Sequence, residues 1–184
     1  MCLVAGPGHE AGTTETPDGR LDPRALAMAL DAVLPERRTV VQDGGHFIGW
    51  APMYWNIPRP QDLVMVGTAF QSIGLGLASA VGAARAVEDC RILVLVSSDG
   101  GFLMGLSDLE SLIGAARSTI VLIYNDAAYG AEIHQYGSQG ADREADADPR
   151  GGLQCCCPGL GGGVRCDPLP VRSLRAARLD RRRR

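Results

Sequence analysis

The sequence predicts an α/β domain with three layers, helices on both faces of a mostly parallel sheet. Three observations predict it. Short, nearly continuous apolar runs recur, as in "RILVLVSSD" (Arg91–Asp99) and "TIVLIYND" (Thr119–Asp126), the pattern of strands covered on both faces. Segments of helical periodicity alternate with these runs, which calls for crossover connections and parallel strands. Each run ends in a polar or glycine-rich turn: Asp43-Gly44-Gly45-His46, Asp99-Gly100-Gly101 and Asn125-Asp126-Ala127.

The elements follow in order. Residues 1–20 are rich in Gly, Thr and Glu and read as a loose lead-in. A helix is expected next, with Asp22 as N-cap, Pro23 in its first turn, an apolar stripe of Leu26, Leu30, Val33 and Leu34, and Pro35 at its end. "RTVVQD" (Arg38–Asp43) reads as a buried strand, and "HFIGWAPMYWNIPRP" as a loop with a short helix. "VMVGTAF" (Val64–Phe70) is a second strand and turn. "SIGLGLASAVGAARAVE" (Ser72–Glu88) is a helix of small residues able to approach a sheet closely. After the strand Arg91–Asp99, Ser107 and Glu110 have capping-box spacing, and Leu106, Leu109, Leu112, Ile113 and Ala116 recur at helical intervals. Thr119–Asp126 is the next strand.

Near Gly140 both periodicities stop. Residues 141–184 are built from Ala, Arg, Gly, Pro, Cys and Asp, the composition of GC-rich coding read out of frame, and no lysine occurs anywhere in the chain. Charge divides at the same place: 8 Arg against 15 acidic residues in 1–140, and 10 Arg against 6 in 141–184. The expected organisation is therefore a lead-in at 1–20, a domain at 21–140 cut short at its C-terminal end, and an irregular, frameshifted tail at 141–184.

Composition also narrows the function. With 46% hydrophobic residues, the chain is globular. Four of the six cysteines lie in the tail, so there is no disulfide framework. No basic segment precedes an apolar one at the start, so a cytoplasmic compartment is expected. Leu63–Ala84 is uncharged for 22 residues, but its Gly, Ser, Thr and Gln content fits a buried loop and helix better than a membrane span. Cys155, Cys156, Cys157 and Cys166 lack the paired spacing of a zinc site, and the terminal Arg181–Arg184 run reads as solvated tail rather than a nucleic-acid contact.

Chemistry is expected where the strands end, because open parallel sheets bind ligands beyond the carboxyl ends of their strands. A helix between Asp99 and Asn125 returns the chain so that both turns reach one place. A carboxylate, an amide oxygen and a nearby carbonyl make a hard oxygen cage of the kind Mg²⁺ accepts together with a diphosphate. Gly100 and Gly101 bring backbone close to such a ligand. Taken singly, Asp99 and Asn125-Asp126 are ordinary turn residues; the joint spacing is what favours a metal. His46 fits either a packed position near Trp50 or a cofactor contact. His134 fits a solvent-facing helix position, and Ile73 is buried against either a cofactor or the core.

With these residues in place, the chain resembles the diphosphate-binding C-terminal domain of thiamine diphosphate-dependent enzymes, of the acetolactate synthase and benzoylformate decarboxylase group. Asp99-Gly100, 24 further residues and Asn125 are similar to that family's metal signature, with Ser98 and Asp126 standing where the family has Gly and Asn. "VVQDGGHFIGWA" resembles its diphosphate-side loop and "GTAFQSIGLGLASAVGAA" its glycine-rich segment; the likeness covers residues 20–140. It implies the thiamine diphosphate-binding fold, thiamine diphosphate and Mg²⁺ as cofactors, and metal ligands Asp99, Asn125 and the carbonyl of Ala127. It further implies diphosphate contacts at Gly45, His46, Phe47, Gly100 and Gly101, pyrimidine-side contacts at Gln71 and Ile73, and closing contacts at Gly130 and Ala131. No catalytic residue of this chain is implied. In that family the activating glutamate lies on a pyrimidine-binding domain, so the chain is expected to be an incomplete 2-keto acid decarboxylase or carboligase module, beginning as the remnant of a preceding domain. It would need a partner domain or chain carrying that glutamate and would work as a homo- or hetero-oligomer, without nucleic acid or membrane. The alternative is a decayed, non-catalytic α/β binding or scaffold module.

Overall fold

The computed structural model describes residues 9–17, 19–57, 59–66, 72–88, 90–140 and 142. Gln71, the opening residues 1–8 and nearly all of the tail lie outside them. Contacts divide the described chain into two units, one holding residues 9–34 and 49–56, the other 35–48 and 57–142.

The first unit contains helix α1 (Pro23–Val33) and the short helix α2 (Trp50–Tyr54). The expected cap is present: the Asp22 carboxylate accepts the Arg24 N–H at 2.9 Å, and its other oxygen accepts the Thr13 N–H at 3.0 Å. The Arg24 guanidinium also bonds Asp22, holding this carboxyl well below the usual range. Leu34, forced towards extended backbone by the following Pro35, ends α1. The buried Trp55 donates its indole N–H to the Ala27 carbonyl at 2.9 Å.

The second unit carries the sheet. Its strands are β1 (Arg38–Gln42), β2 (Leu63–Met65), β3 (Ile92–Ser98) and β4 (Thr119–Tyr124), in the order β2-β1-β3-β4, and all pairs are parallel. In the central register Val41 faces Leu95, which faces Val121. The connections carry helices α3 (Gly76–Ala86), α4 (Asp99–Met104), α5 (Leu109–Ala115) and, after β4, α6 (Gly130–Tyr136). Leu77 and Ala80 of α3, Phe102 of α4, and Leu109 and Leu112 of α5 bury against Val41, Leu93 and Leu95, forming the core on that sheet face. At the opposite end of the strands, the buried Asp62 carboxylate takes hydrogen bonds from Arg59 at 2.8 Å and from Arg91.

Three sequence expectations change. The Asp99-Gly100-Gly101 turn is the first turn of α4, because the Ser98 hydroxyl caps it by accepting the Gly101 N–H at 3.0 Å. The Ser107/Glu110 capping box does not form. Ser107 sits in a 3₁₀ turn (Leu106–Asp108), and α5 starts one residue later behind Asp108 without a side-chain cap bond. β4 is half-buried along its whole length, since it pairs on one side only among the described residues. The uncharged stretch Leu63–Ala84 holds β2 and most of α3, and no helix among the described residues is long and apolar enough to cross a membrane.

Candidate functional site

The site is built at the carboxyl ends of β1, β3 and β4. Parallel pairing of β3 with β4 brings Ser98 opposite Tyr124, so the residues after each strand, Asp99 and Asn125, emerge side by side. The Ala127 N–H is shared between them: it donates to Asp99 Oδ2 at 3.1 Å and to Asn125 Oδ1 at 3.0 Å. The two oxygens therefore lie no further apart than those two bonds laid end to end. Ala127 has φ 55°, a left-handed conformation unusual for a residue with a side chain; such positions cost about 1–3 kcal/mol and persist where the surroundings demand them.

Asp99 is 8% exposed, and its second oxygen, Oδ1, is buried without any hydrogen-bond partner among the described residues. Burial pushes the Asp99 carboxyl above its ordinary range. Neighbouring backbone N–H groups, that of Gly100 foremost, oppose the shift, and the Asp126 carboxylate adds to it. A buried acceptor with nothing to accept from is costly, so this geometry favours a cation beside it. The donor set is one carboxylate, one amide oxygen and the local backbone, all hard oxygens. Among the described residues no group of three or more His, Cys, Asp or Glu could hold a metal, so a cation here would rest on this smaller oxygen set and its other ligands. The residues present thus fit Mg²⁺.

The glycines are held small by what approaches them. A Cβ on Gly44 would run into the Ser72 carbonyl oxygen and lie 3.5 Å from Ile73 Cγ2, so half-buried Ile73 packs on the loop after β1. Gly45 has φ +143°, and a Cβ there would meet the Phe47 ring at 2.7 Å. Phe47 itself is buried and stacks on Tyr124, centroids 5.6 Å apart. A Cβ on Gly130 would strike the Asp126 carboxylate and come within 3.1 Å of His46 Nδ1. One on Gly100 would press on the Tyr129 ring at 3.0 Å. His46 and His134 are both exposed, as expected for His134, and their rings lie 4.6 Å apart. Ala131 is half-buried in the first turn of α6. The Gly101 N–H, expected to be open to a ligand, is taken by Ser98.

Sequence reasoning assigned no role to Asp43, Ser97 or Tyr129. Asp43 is fully buried and accepts four hydrogen bonds. Its sequence signal was its place at the end of an apolar strand before two glycines. The cap signal of Ser98 was the Ser-Asp-Gly-Gly string itself.

An all-parallel sheet with oxygen donors and glycines gathered at its carboxyl end defines a nucleotide- or diphosphate-binding class of α/β domain. The chain belongs to the thiamine pyrophosphate enzymes, as their C-terminal TPP-binding domain; residues 43–155 match that family. The family's cofactor is thiamine diphosphate. An acetolactate synthase of Bacillus subtilis (strain 168) is 29% identical over 110 residues, 60% of this chain and 19% of that protein. The mitochondrial acetolactate synthase catalytic subunit of Saccharomyces cerevisiae is 28% identical over 119 residues, 63% of this chain and 17% of that one. The chain thus spans about a fifth of the length of these relatives. Among solved structures, benzoylformate decarboxylase from Polynucleobacter necessarius superposes with a TM-score of 0.71 at 16% identity, over 95% of this chain and 33% of that one.

Proposed function

We propose that this chain is the metal- and diphosphate-binding module of a thiamine diphosphate-dependent 2-keto acid decarboxylase or carboligase of the acetolactate synthase kind. One observation carries the reading: Asp99 and Asn125 aim oxygens at the same N–H while the other Asp99 oxygen stays buried and unpartnered. In this role Asp99, Asn125 and the Ala127 carbonyl hold Mg²⁺. The loop Gly45–Phe47 and Gly100 at the start of α4 lie against the diphosphate, where small residues let backbone approach, with Gly101 behind them, its N–H held by Ser98. Ile73, with Gln71, meets the pyrimidine side, and Gly130 and Ala131 close the site from α6. When bound, the cofactor supplies the nucleophilic carbon and electron sink for decarboxylation of a 2-keto acid. This chain's part is to bind and orient it. The activating glutamate comes from a pyrimidine-binding domain or chain, with which the module works as an oligomer.

Isothermal titration tests the reading. Thiamine diphosphate should bind in the presence of Mg²⁺, and binding should vanish with EDTA or in Asp99→Ala. No binding by the wild-type chain would instead identify a non-catalytic module that keeps only the α/β core.

A further inference from the structure

Asp43 is a fully buried carboxylate whose donors among the described residues are all neutral. Oδ1 accepts the Gly44 N–H at 2.8 Å and the Leu75 N–H at 3.3 Å. Oδ2 accepts the Gly74 N–H at 3.1 Å and the Ser97 hydroxyl at 3.1 Å. These donors come from three places: the loop after β1, the segment leading from Ile73 into α3, and the end of β3. Two further glycines sit directly on the same carboxyl. A Cβ on Gly76 would lie 2.9 Å from Asp43 Cβ, and one on Gly101 2.9 Å from Asp43 Oδ2. Substituting either would push the carboxyl away, so the chain around it is packed to backbone contact. A buried charge stripped of water is tolerated only when donors replace the water, and here the donors belong to two loops and one strand end at the candidate site.

We infer that Asp43 is a positioning residue: its carboxylate clasps the diphosphate loop, the Ile73 segment and the β3 tip at one spacing, and so sets the separation of Ile73 from Asp99. The inference deepens the proposed function and rests on it for the cofactor's identity. Asp43 touches no ligand in this role. It acts through Gly44, Gly74, Leu75 and the first turn of α4, whose Gly101 leans on it. Isosteric Asp43→Asn keeps the volume but replaces one acceptor oxygen with an NH₂ group. Whichever way the amide turns, it confronts a backbone N–H that cannot turn to accept.

Two measurements on the full 184-residue chain test this. The first is amide hydrogen exchange without ligand. In Asp43→Asn the amides of Gly44, Gly74 and Leu75 should lose protection together, while those within β3 and β4 keep theirs. The second is titration with thiamine diphosphate and Mg²⁺ at a temperature where both proteins are folded. The dissociation constant should rise about tenfold in Asp43→Asn. Ser97→Ala should raise it less, and the double variant should be no worse than Asp43→Asn alone. Unchanged protection at Gly74 and Leu75, or an affinity within about twofold of wild type despite a lower melting temperature, overturns the inference and leaves Asp43 a core residue. A wild type that binds no cofactor, with all three amides still released together in the variant, refutes the proposed function and upholds the clasp. If Asp43→Asn does not fold, Ser97→Ala and Gly76→Ala take its place, and wild-type affinity in both is the overturning result.

Discussion

Replacing Asp99 by Asn should have opposite effects on the empty and the loaded protein. In the ligand-free chain, Asp99 holds a charge in a place 8% exposed, beside Asp126, with one oxygen unpartnered. An unsatisfied buried acceptor costs about 1–3 kcal/mol. Asn removes the buried charge and its repulsion from Asp126 and keeps an oxygen for the Ala127 N–H; the NH₂ that replaces Oδ1 is as unpartnered as that oxygen was, so the gain comes from the lost charge alone. The variant should therefore gain about 1 kcal/mol, a rise of about 2–4 °C in melting temperature for a chain this long. With thiamine diphosphate and Mg²⁺ at about a hundred times the dissociation constant, wild type should gain about 2.7 kcal/mol, or about 5–11 °C. Asp99→Asn should lose most of that rise, because the charged ligand is gone. Differential scanning fluorimetry with and without cofactor reads both effects. A ligand-free variant markedly less stable than wild type would refute the reasoning, since the carboxylate would then be structural rather than held ready for a cation.

Asp62→Ala should destabilise the fold by about 3–5 kcal/mol, because Arg91, 9% exposed, loses its buried counter-ion; urea unfolding measures it. Arg59 first, and then Arg91, hold the Asp62 carboxyl below its ordinary value of 3.8. The unfolded chain therefore binds more protons near that pH, and stability should be intact above it and fall as the pH drops below it. The slope should be shallower in the variant. Gly130→Ala should place a methyl against Asp126 and His46, displacing the start of α6. Titration should find weakened cofactor binding, with a stability loss of about 1–3 kcal/mol. Trp55→Phe should cost about 1–3 kcal/mol by leaving the Ala27 carbonyl without its indole donor, seen as an earlier melting transition.

The strands of the second unit could be read from sequence because β1 and β3 are central and buried on both faces, which left a continuous apolar run in β3 and the Val40-Val41 pair in β1. The α1 cap was equally plain, since Asp22-Pro23 acts locally. What escaped was non-local or of low propensity. Helix α4 begins Asp-Gly-Gly, a string that disfavours helix, and forms because Ser98 caps it and Phe102 buries. The start of α5 is set by Leu109 and Leu112 reaching the core rather than by Ser107. Asp99 and Asn125 were legible as a pair through spacing alone. The role of Asp43 was not, because three of its four donors lie 31, 32 and 54 residues away and only the folded chain assembles them.

The parallel pairing of β3 with β4 has a kinetic consequence. Both oxygens of the candidate metal site belong to one contiguous strand-helix-strand stretch, residues 92–127, whereas Asp43 joins that stretch, at Ser97, only across 54 residues. Chain-closure entropy favours the nearer pairing, so the Asp99–Asn125 corner is expected to condense in the folding transition state and the Asp43 joint to lock afterwards. Leu95→Ala should then slow folding, while Ser97→Ala should chiefly hasten unfolding, as stopped-flow chevrons would record.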